Sequence, residues 1–120
     1  MNESEKDRLR EKIATALTGL GDTPDRIAHN LLLTLGQFSC GYSPMHCPIA
    51  TYIKTVVEDL MMDGDYVACT YTEYEVELES GRVSGVLPFA VTAFIRVFDN
   101  GGYSALCKYE VIALRRMGLL

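Results

Sequence analysis

The sequence predicts an α+β fold with three N-terminal helices, a small antiparallel β-hairpin or meander, and one or two C-terminal helices. Apolar residues recur every three to four positions through residues 4–62, which is the spacing of one helix face. Residues 66–87 instead alternate between apolar and polar side chains and are rich in Tyr, Val and Thr. Helical spacing returns over 88–117. A length of 120 residues fits a single domain built from these three regions, spanning 1–120.

Capping residues locate the first two helices. The first is predicted over 5–19, with Ser4 as its N-cap and a glycine at its last position. The second has Thr23 as its N-cap and Pro24 at its first helical position, where proline is favoured. Gly36 is a candidate terminator of the second helix, because glycine commonly follows the last helical turn.

Prolines and a serine mark the remaining predicted helix starts. Pro48 is expected at the first position of a third helix that ends at 63–65, where the sequence reads Asp-Gly-Asp. Pro88 is expected to occupy the same position in a later helix. The alternative for 86–98 is a strand, since Val, Phe and Ile favour sheets, but its apolar spacing of three to four favours a helix. Ser104 is a candidate cap for a last helix.

The β region contains strands predicted over 66–72 and 74–79, followed by a return strand over 82–87. Ser80 and Gly81 form a candidate two-residue turn between the last two strands. A two-stranded hairpin is at best marginally stable alone in water. The apolar residues of the middle strand are therefore expected to pack on the helices.

Charge and composition exclude several classes of function. The formal net charge of -5 disfavours general binding to nucleic acid or to anionic membranes, which requires clustered Lys and Arg. Residues 2–8 are polar and charged, so they are not expected to form a signal peptide. The longest apolar stretch, 86–95, covers about half of a membrane span. We therefore expect a cytoplasmic protein whose four cysteines are reduced.

Three short segments occur in a distinctive order. Residues 46–53 read H-C-P-I-A-T-Y-I, residues 87–91 read L-P-F-A-V with a phenylalanine three positions later, and residues 98–103 read F-D-N-G-G-Y. Together they resemble small proteins of actinobacteria and their phages with a C-P-[LI]-A-x-Y-[LI] segment and a later L-P-x-A-V and F-D-x-G-x-Y segment. The resemblance implies a compact domain in a bacterial or phage setting. It carries over no catalytic residue, because no activity is assigned to those proteins.

Two kinds of chemistry are conceivable around Cys47. Thiolate and imidazole are zinc ligands, so Cys40, His46 and Cys47 are candidate metal ligands, with Cys69 or Cys107 completing four. Their spacing lacks the paired C-x2-C pattern of structural zinc sites. Cys47 is also a candidate nucleophile, because a helix N-terminus lowers the pKa of a thiol. The plain alternative is that Cys47 is a small buried side chain.

The acidic residues are concentrated in one part of the chain. Eight carboxylates and no Lys or Arg lie between positions 58 and 81. Four of them, Glu73, Glu75, Glu77 and Glu79, alternate with apolar residues, and alternate residues of a strand lie on one face about 6.6–6.8 Å apart. Such a row is suited to bind a basic protein surface, to mimic DNA phosphates or to hold a hard cation. The alternative is a solvated strand face whose charge prevents edge-to-edge aggregation.

The sequence therefore favours a small non-enzymatic protein-binding domain of bacterial or phage origin that engages a basic host partner through an acidic β surface. The alternatives are a thiol-dependent enzyme or redox protein that uses Cys47, and a small structural zinc domain. An unpaired strand edge would also allow a homodimer that continues the sheet. We expect no cofactor, because no Gly-rich phosphate loop is found.

Overall fold

A computed structural model describes residues 1–36 and 47–106, and these residues form four α-helices and one three-stranded antiparallel sheet. The predicted α+β class is confirmed. The helices are α1 (Glu3–Gly19), α2 (Pro24–Leu35), α3 (Pro48–Val56) and α4 (Phe89–Asp99). The strands are β1 (Tyr66–Cys69), β2 (Glu73–Leu78) and β3 (Gly81–Val86). Single 3-10 turns cover Glu58–Leu60 and Ser104–Leu106.

The first two helices begin with side-chain caps. In α2, the hydroxyl of Thr23 accepts a hydrogen bond of 3.2 Å from the Arg26 N–H, as the sequence predicted. The cap of α1 was predicted wrongly. Asn2, and not Ser4, accepts from the Glu5 N–H at 2.8 Å, so α1 begins at Glu3. Asn and Ser cap helices about equally well, so the sequence alone did not decide between them.

The third helix starts at Pro48 as predicted but ends at Val56, well before the predicted stop at 63–65. The chain then tightens into the 3-10 turn at Glu58–Leu60. Three consecutive β-branched residues, Thr55 to Val57, disfavour a further α-helical turn. Leu60, which the predicted helix would have included, lies in this 3-10 turn and is 42% exposed.

The sheet is a meander in the order β1-β2-β3, with both pairs antiparallel. β1 ends at Cys69, earlier than predicted, because the chain turns at Thr70. The Thr70 hydroxyl accepts from the Glu73 N–H at 3.1 Å, and the Thr70 N–H donates to the Glu73 carbonyl at 2.9 Å. The β2–β3 turn consists of Glu79 and Ser80, one position before the prediction, and Gly81 pairs with Leu78.

One face of this sheet contributes to a single hydrophobic core shared with the helices. Val67, Val76 and Val83 are cross-strand neighbours on this face and are at most 3% exposed. We call it the inner sheet face. α3 packs beside β1, and α1 packs beside β3. None of the helices in the described part of the chain is both long and apolar enough to cross a bilayer.

The fourth helix confirms the helical interpretation of the segment after the sheet. Pro88 caps α4 instead of occupying its first position, and Phe89 begins the helix. At the other end, the N–H groups of Gly101 and Gly102 donate to the carbonyls of Phe98 and Val97, which is a Schellman motif. The predicted last helix begins with the 3-10 turn at Ser104–Leu106, and the rest of it lies outside the described residues.

Candidate functional site

The carboxylates of β2 lie on the side of the sheet that faces away from the core. Glu73 is exposed and Glu75 and Glu77 are half-buried, whereas the intervening residues of β2 are buried. Cross-strand pairing places Ala68 and Ser84 on either side of Glu75. We call this surface the outer sheet face. It consists of Tyr66, Ala68, Glu73, Glu75, Glu77, Arg82, Ser84 and Val86.

The predicted row of four carboxylates is shortened by one. Glu73, Glu75 and Glu77 belong to β2, but the strand ends at Leu78, and Glu79 lies in the turn. The side chain of Glu79 is exposed there, beside Ser80. A turn residue does not extend the regular strand spacing, so three glutamates define the acidic face.

Arg82 interrupts the negative charge of this face. Its Nε lies 3.1 Å from Glu75 Oε1 and 2.5 Å from Glu77 Oε2. The hydrogen bond to Glu77, followed by the charge of Glu75, raises the pKa of Arg82. The Tyr66 hydroxyl donates to Glu75 at 3.4 Å. One arginine balances only one of these two carboxylates, so the cluster of Glu75, Glu77 and Arg82 remains negative, and Glu73 adds a further negative charge.

Apolar side chains lie at the Glu73 end of the outer sheet face. Val86, the cross-strand neighbour of Glu73, is 77% exposed, and Phe89, three residues further on, is 88% exposed. Tyr71 lies two residues before Glu73 in the chain. The centroid of its ring is 5.5 Å from the Arg96 guanidinium carbon, which is a cation–π contact. An exposed carboxylate and an exposed valine thus share this end of the sheet, and the exposed Phe89 follows Val86 by three residues in the chain.

The other acidic residues of the 58–81 segment lie away from the sheet. Glu58, Asp63 and Asp65 line an open groove of about 530 Å³ between α3 and the chain that leads to β1. Lys54 lines the same groove, and Asp65 Oδ2 accepts from the Met62 N–H at 2.9 Å. The acidic residues of this segment are thus distributed over this groove, the outer sheet face, the β2–β3 turn at Glu79 and an ion pair of 3.9 Å between Asp59 and Lys12.

Two cysteines that are distant in sequence meet inside the core. Cys47 occupies the N-cap position of α3, and Cys69 is the last residue of β1, the strand on which α3 packs. Both are free thiols, 8% and 5% exposed respectively. The two thiols are close enough for each to shift the pKa of the other. Cys69 was considered only as a possible fourth zinc ligand, since no local pattern pairs a strand cysteine with a helix N-terminus.

The two thiols have opposite acidities. The hydrogen bond from Cys69 lowers the pKa of Cys47 despite its burial, and the N–H groups of Ala50 and Ile49 lower it further. The negative charge of Asp99 opposes this effect. The same hydrogen bond, together with burial, raises the pKa of Cys69 well above that of an ordinary thiol. Of the two thiols, Cys47 is therefore the more acidic.

The remaining metal candidates are not tested by this geometry. Cys40, His46 and Cys107 lie outside the described residues. Within 1–36 and 47–106, no three His, Cys, Asp or Glu side chains converge in a way that could hold a metal ion.

No protein-family model, no curated protein and no solved structure matches this chain.

Proposed function

We propose that this chain is a non-enzymatic binding domain that engages a basic protein partner through its outer sheet face. The observation that carries this proposal is the pairing of Glu73 with exposed Val86 at one end of that face, three residues before the exposed Phe89 in the chain. Charge there can orient a partner, and apolar area can retain it.

The acidic residues supply the orientation. Three glutamates and one arginine leave the outer sheet face with a net negative charge. Complementary charge accelerates association and selects between partners more than it adds affinity. Because Arg82 engages Glu75 and Glu77, a basic partner group would interact most strongly with Glu73. The partner is accordingly expected to present Lys or Arg beside an apolar residue.

The apolar residues supply the affinity. Single exposed apolar side chains are ordinary on protein surfaces, but adjacent ones beside an aromatic residue are typical of binding hot spots. Val86 ends β3 and Phe89 begins α4, so both are carried by regular secondary structure. A surface held in this way is ordered before binding and loses little conformational entropy in the complex.

The resemblance to actinobacterial and phage proteins suggests where to look for the partner. We infer that the domain acts in the cytoplasm of an actinobacterial cell, either as a host protein or as a phage product. The immobilised full chain is therefore tested against an actinobacterial lysate, and the captured proteins are identified and purified for binding measurements.

The decisive comparison neutralises the outer sheet face. Glu73→Gln with Glu75→Gln and Glu77→Gln should slow association with the purified partner by about tenfold at low salt. The matched control, Glu5→Gln with Glu11→Gln and Asp22→Asn, removes the same charge from exposed positions on and after α1 and should leave association nearly unchanged. Equal capture by both triple variants, or capture of acidic proteins only, would contradict the proposal.

A second pair of variants tests the apolar contribution. Phe89→Ser should accelerate dissociation of the partner by about tenfold, as truncation of a hot-spot aromatic residue does. Leu33→Ser is the control, because Leu33 is 71% exposed on α2, away from the sheet. Equal dissociation rates for the two variants would exclude Phe89 from the interface.

A second copy of the chain is the other possible occupant. The predicted homodimer would extend the sheet at an edge strand. At β3 this is disfavoured, because Arg10 of α1 donates to the Ser84 carbonyl at 3.0 Å. Sedimentation over a range of concentrations separates the two cases. If the chain forms a dimer at high concentration and Glu73→Lys disrupts that dimer, the occupant of the outer sheet face is a second copy of the chain and not a basic partner.

A further inference from the structure

The buried cysteine pair is independent of the outer sheet face and has a chemistry of its own. Cys47 lies at the start of α3 and Cys69 at the end of β1, and the two elements pack directly together. We propose that Cys47 and Cys69 form a redox-active dithiol, which a small hydroperoxide converts to an intramolecular disulfide and a low-molecular-weight thiol restores.

Position in the fold is the first argument for this assignment. Both residues belong to the hydrophobic core, with Cys47 at the N-cap of α3 and Cys69 at the end of β1, and each thiol is close enough to shift the pKa of the other. A disulfide of about 2.05 Å requires the two sulfurs to approach, and the packing of α3 on β1 holds the two elements together for this step. The pair also joins segments separated by an intervening helix, turn and strand.

The difference between the two thiols is the second argument. A dithiol site needs one thiol that attacks and one that resolves the product. Cys47 has its pKa lowered, chiefly by the hydrogen bond from Cys69 and also by the N–H groups at the start of α3. The pKa of Cys69 is raised by the hydrogen bond to Cys47 and by burial. Together with the position of Cys47 at the N-terminus of α3, this favours Cys47 as the attacking sulfur and Cys69 as the resolving one.

Accessibility determines the class of oxidant. Cys47 is 8% exposed and Cys69 is 5% exposed, so a small oxidant reaches the pair most easily, and reduction of the buried disulfide by a low-molecular-weight thiol requires local opening of the core. Hydrogen peroxide or a short alkyl hydroperoxide is small enough to reach Cys47. Cys47 is the more exposed of the two, which agrees with its role as the attacking sulfur.

The oxidation of the two thiols to a disulfide proceeds in two steps. The Cys47 thiolate attacks the terminal oxygen of the hydroperoxide, the O–O bond breaks, and the alcohol or water leaves after taking up a proton. Cys47 is then a sulfenic acid. The Cys69 sulfur attacks the Cys47 sulfur, the S–O bond breaks, and water leaves with the Cys69 proton. Two thiols have lost two electrons to the hydroperoxide, and two molecules of a reducing thiol return them by disulfide exchange.

The test uses the full chain purified with all four cysteines reduced. One equivalent of hydrogen peroxide should remove the mass of two hydrogen atoms and two alkylatable thiols, and peptide mapping should find Cys47 linked to Cys69. Cys40→Ser with Cys107→Ser is the matched control and should react equally fast, since it retains the pair. A low-molecular-weight thiol should restore both alkylation sites.

Single variants separate the two roles. Cys69→Ala should leave a sulfenic acid on Cys47 that dimedone traps, and Cys47→Ala should leave Cys69 reduced. If either variant fails to fold, mapping of the wild-type protein still decides the question. The proposal is overturned if peroxide links other cysteines, if Cys47 and Cys69 stay reduced while Cys40 or Cys107 is oxidised, or if a stoichiometric metal ion occupies these thiols.

Discussion

The two faces of the sheet alternate along the same strands but differ in what holds their side chains. On the inner sheet face, Tyr74, Val76 and Leu78 are at most 4% exposed and are part of the hydrophobic core. On the outer sheet face, Glu75 and Glu77 contact Arg82 at the protein surface, where the arginine side chain is 63% exposed. One face is fixed by packing and the other by ion pairs in water.

This difference separates the residues that determine folding from those available for binding. Burial of one aliphatic or aromatic side chain stabilises a protein by about 1.5–3 kcal/mol, whereas an exposed ion pair contributes about 0–1 kcal/mol. The acidic face can therefore change in sequence with little effect on the fold. Substitutions at neighbouring positions of β2 and β3 should consequently have very different effects.

The largest difference in the loss of folding stability is expected between substitutions of Leu78 and of its neighbour Glu77. Leu78→Ala leaves a cavity under β2 and should reduce the free energy of unfolding by about 2–5 kcal/mol. Glu77→Ala removes one surface ion pair and should cost about 1 kcal/mol or less. Urea denaturation of both variants measures the difference. Similar losses would show that the ion pairs of the outer sheet face contribute to folding as strongly as the core does.

A smaller contrast is expected between Gly85 and Ser84 in β3. Gly85 is the cross-strand neighbour of Tyr74, and a Cβ atom at this position would lie 2.5 Å from the tyrosine oxygen. Gly85→Ala should therefore cost about 1–3 kcal/mol, the usual range for overpacking. Ser84→Ala, on the outer sheet face, should be nearly neutral in the same denaturation experiment. A neutral Gly85→Ala would mean that Tyr74 can move aside without loss of packing.

Most of the fold follows from local patterns in the sequence. Thr23-Pro24 and Pro48 mark helix starts through fixed backbone chemistry, and these predictions are confirmed. The alternation around Tyr74 identifies β2 because strands have a period of two. The errors occur where local signals compete. Asn2 and Ser4 are both good caps, and the end of α3 depends on where the chain must turn toward β1.

The sites were less predictable, because their partners come from elsewhere in the chain. The acidic row is visible in the sequence, but Arg82 joins it only through the register that pairs Arg82 with Glu77. Cys47 stands out because it precedes a helix-starting proline, whereas Cys69 resembles any small buried strand residue. Its contact with Cys47 depends on the packing of α3 on β1, which no spacing rule specifies.

The free energy of unfolding should depend on pH through Tyr74, which lies on the inner sheet face. Burial raises the pKa of Tyr74 on the inner sheet face above 10.0, and the charge of Arg10 only partly opposes this. Well below pH 10.0, Tyr74 keeps its proton in both the folded and the unfolded chain, so its full contribution to the free energy of unfolding is present. Above it, the unfolded chain loses the proton first, and stability falls as pH rises.

The measurement compares urea midpoints from about pH 8 to pH 11. Tyr74→Phe should flatten this part of the stability profile relative to the wild-type protein. The part of the slope that Tyr74→Phe removes is the contribution of the Tyr74 phenol. An unchanged slope in Tyr74→Phe would show that burial on the inner sheet face does not hold that proton.

The smallest effect on stability is expected at Arg82, where the effect on binding should be larger. Arg82→Gln removes both ion pairs and should change the free energy of unfolding very little, because the guanidinium is solvated and its ion pairs are screened by water. It also makes the outer sheet face more negative, so a basic partner should associate faster and with a steeper dependence on salt. Arg8→Gln makes the same charge change at an exposed position of α1 and is the control. Slower association with Arg82→Gln would mean that the partner contacts the guanidinium itself, and the partner surface would then have to be acidic at that point.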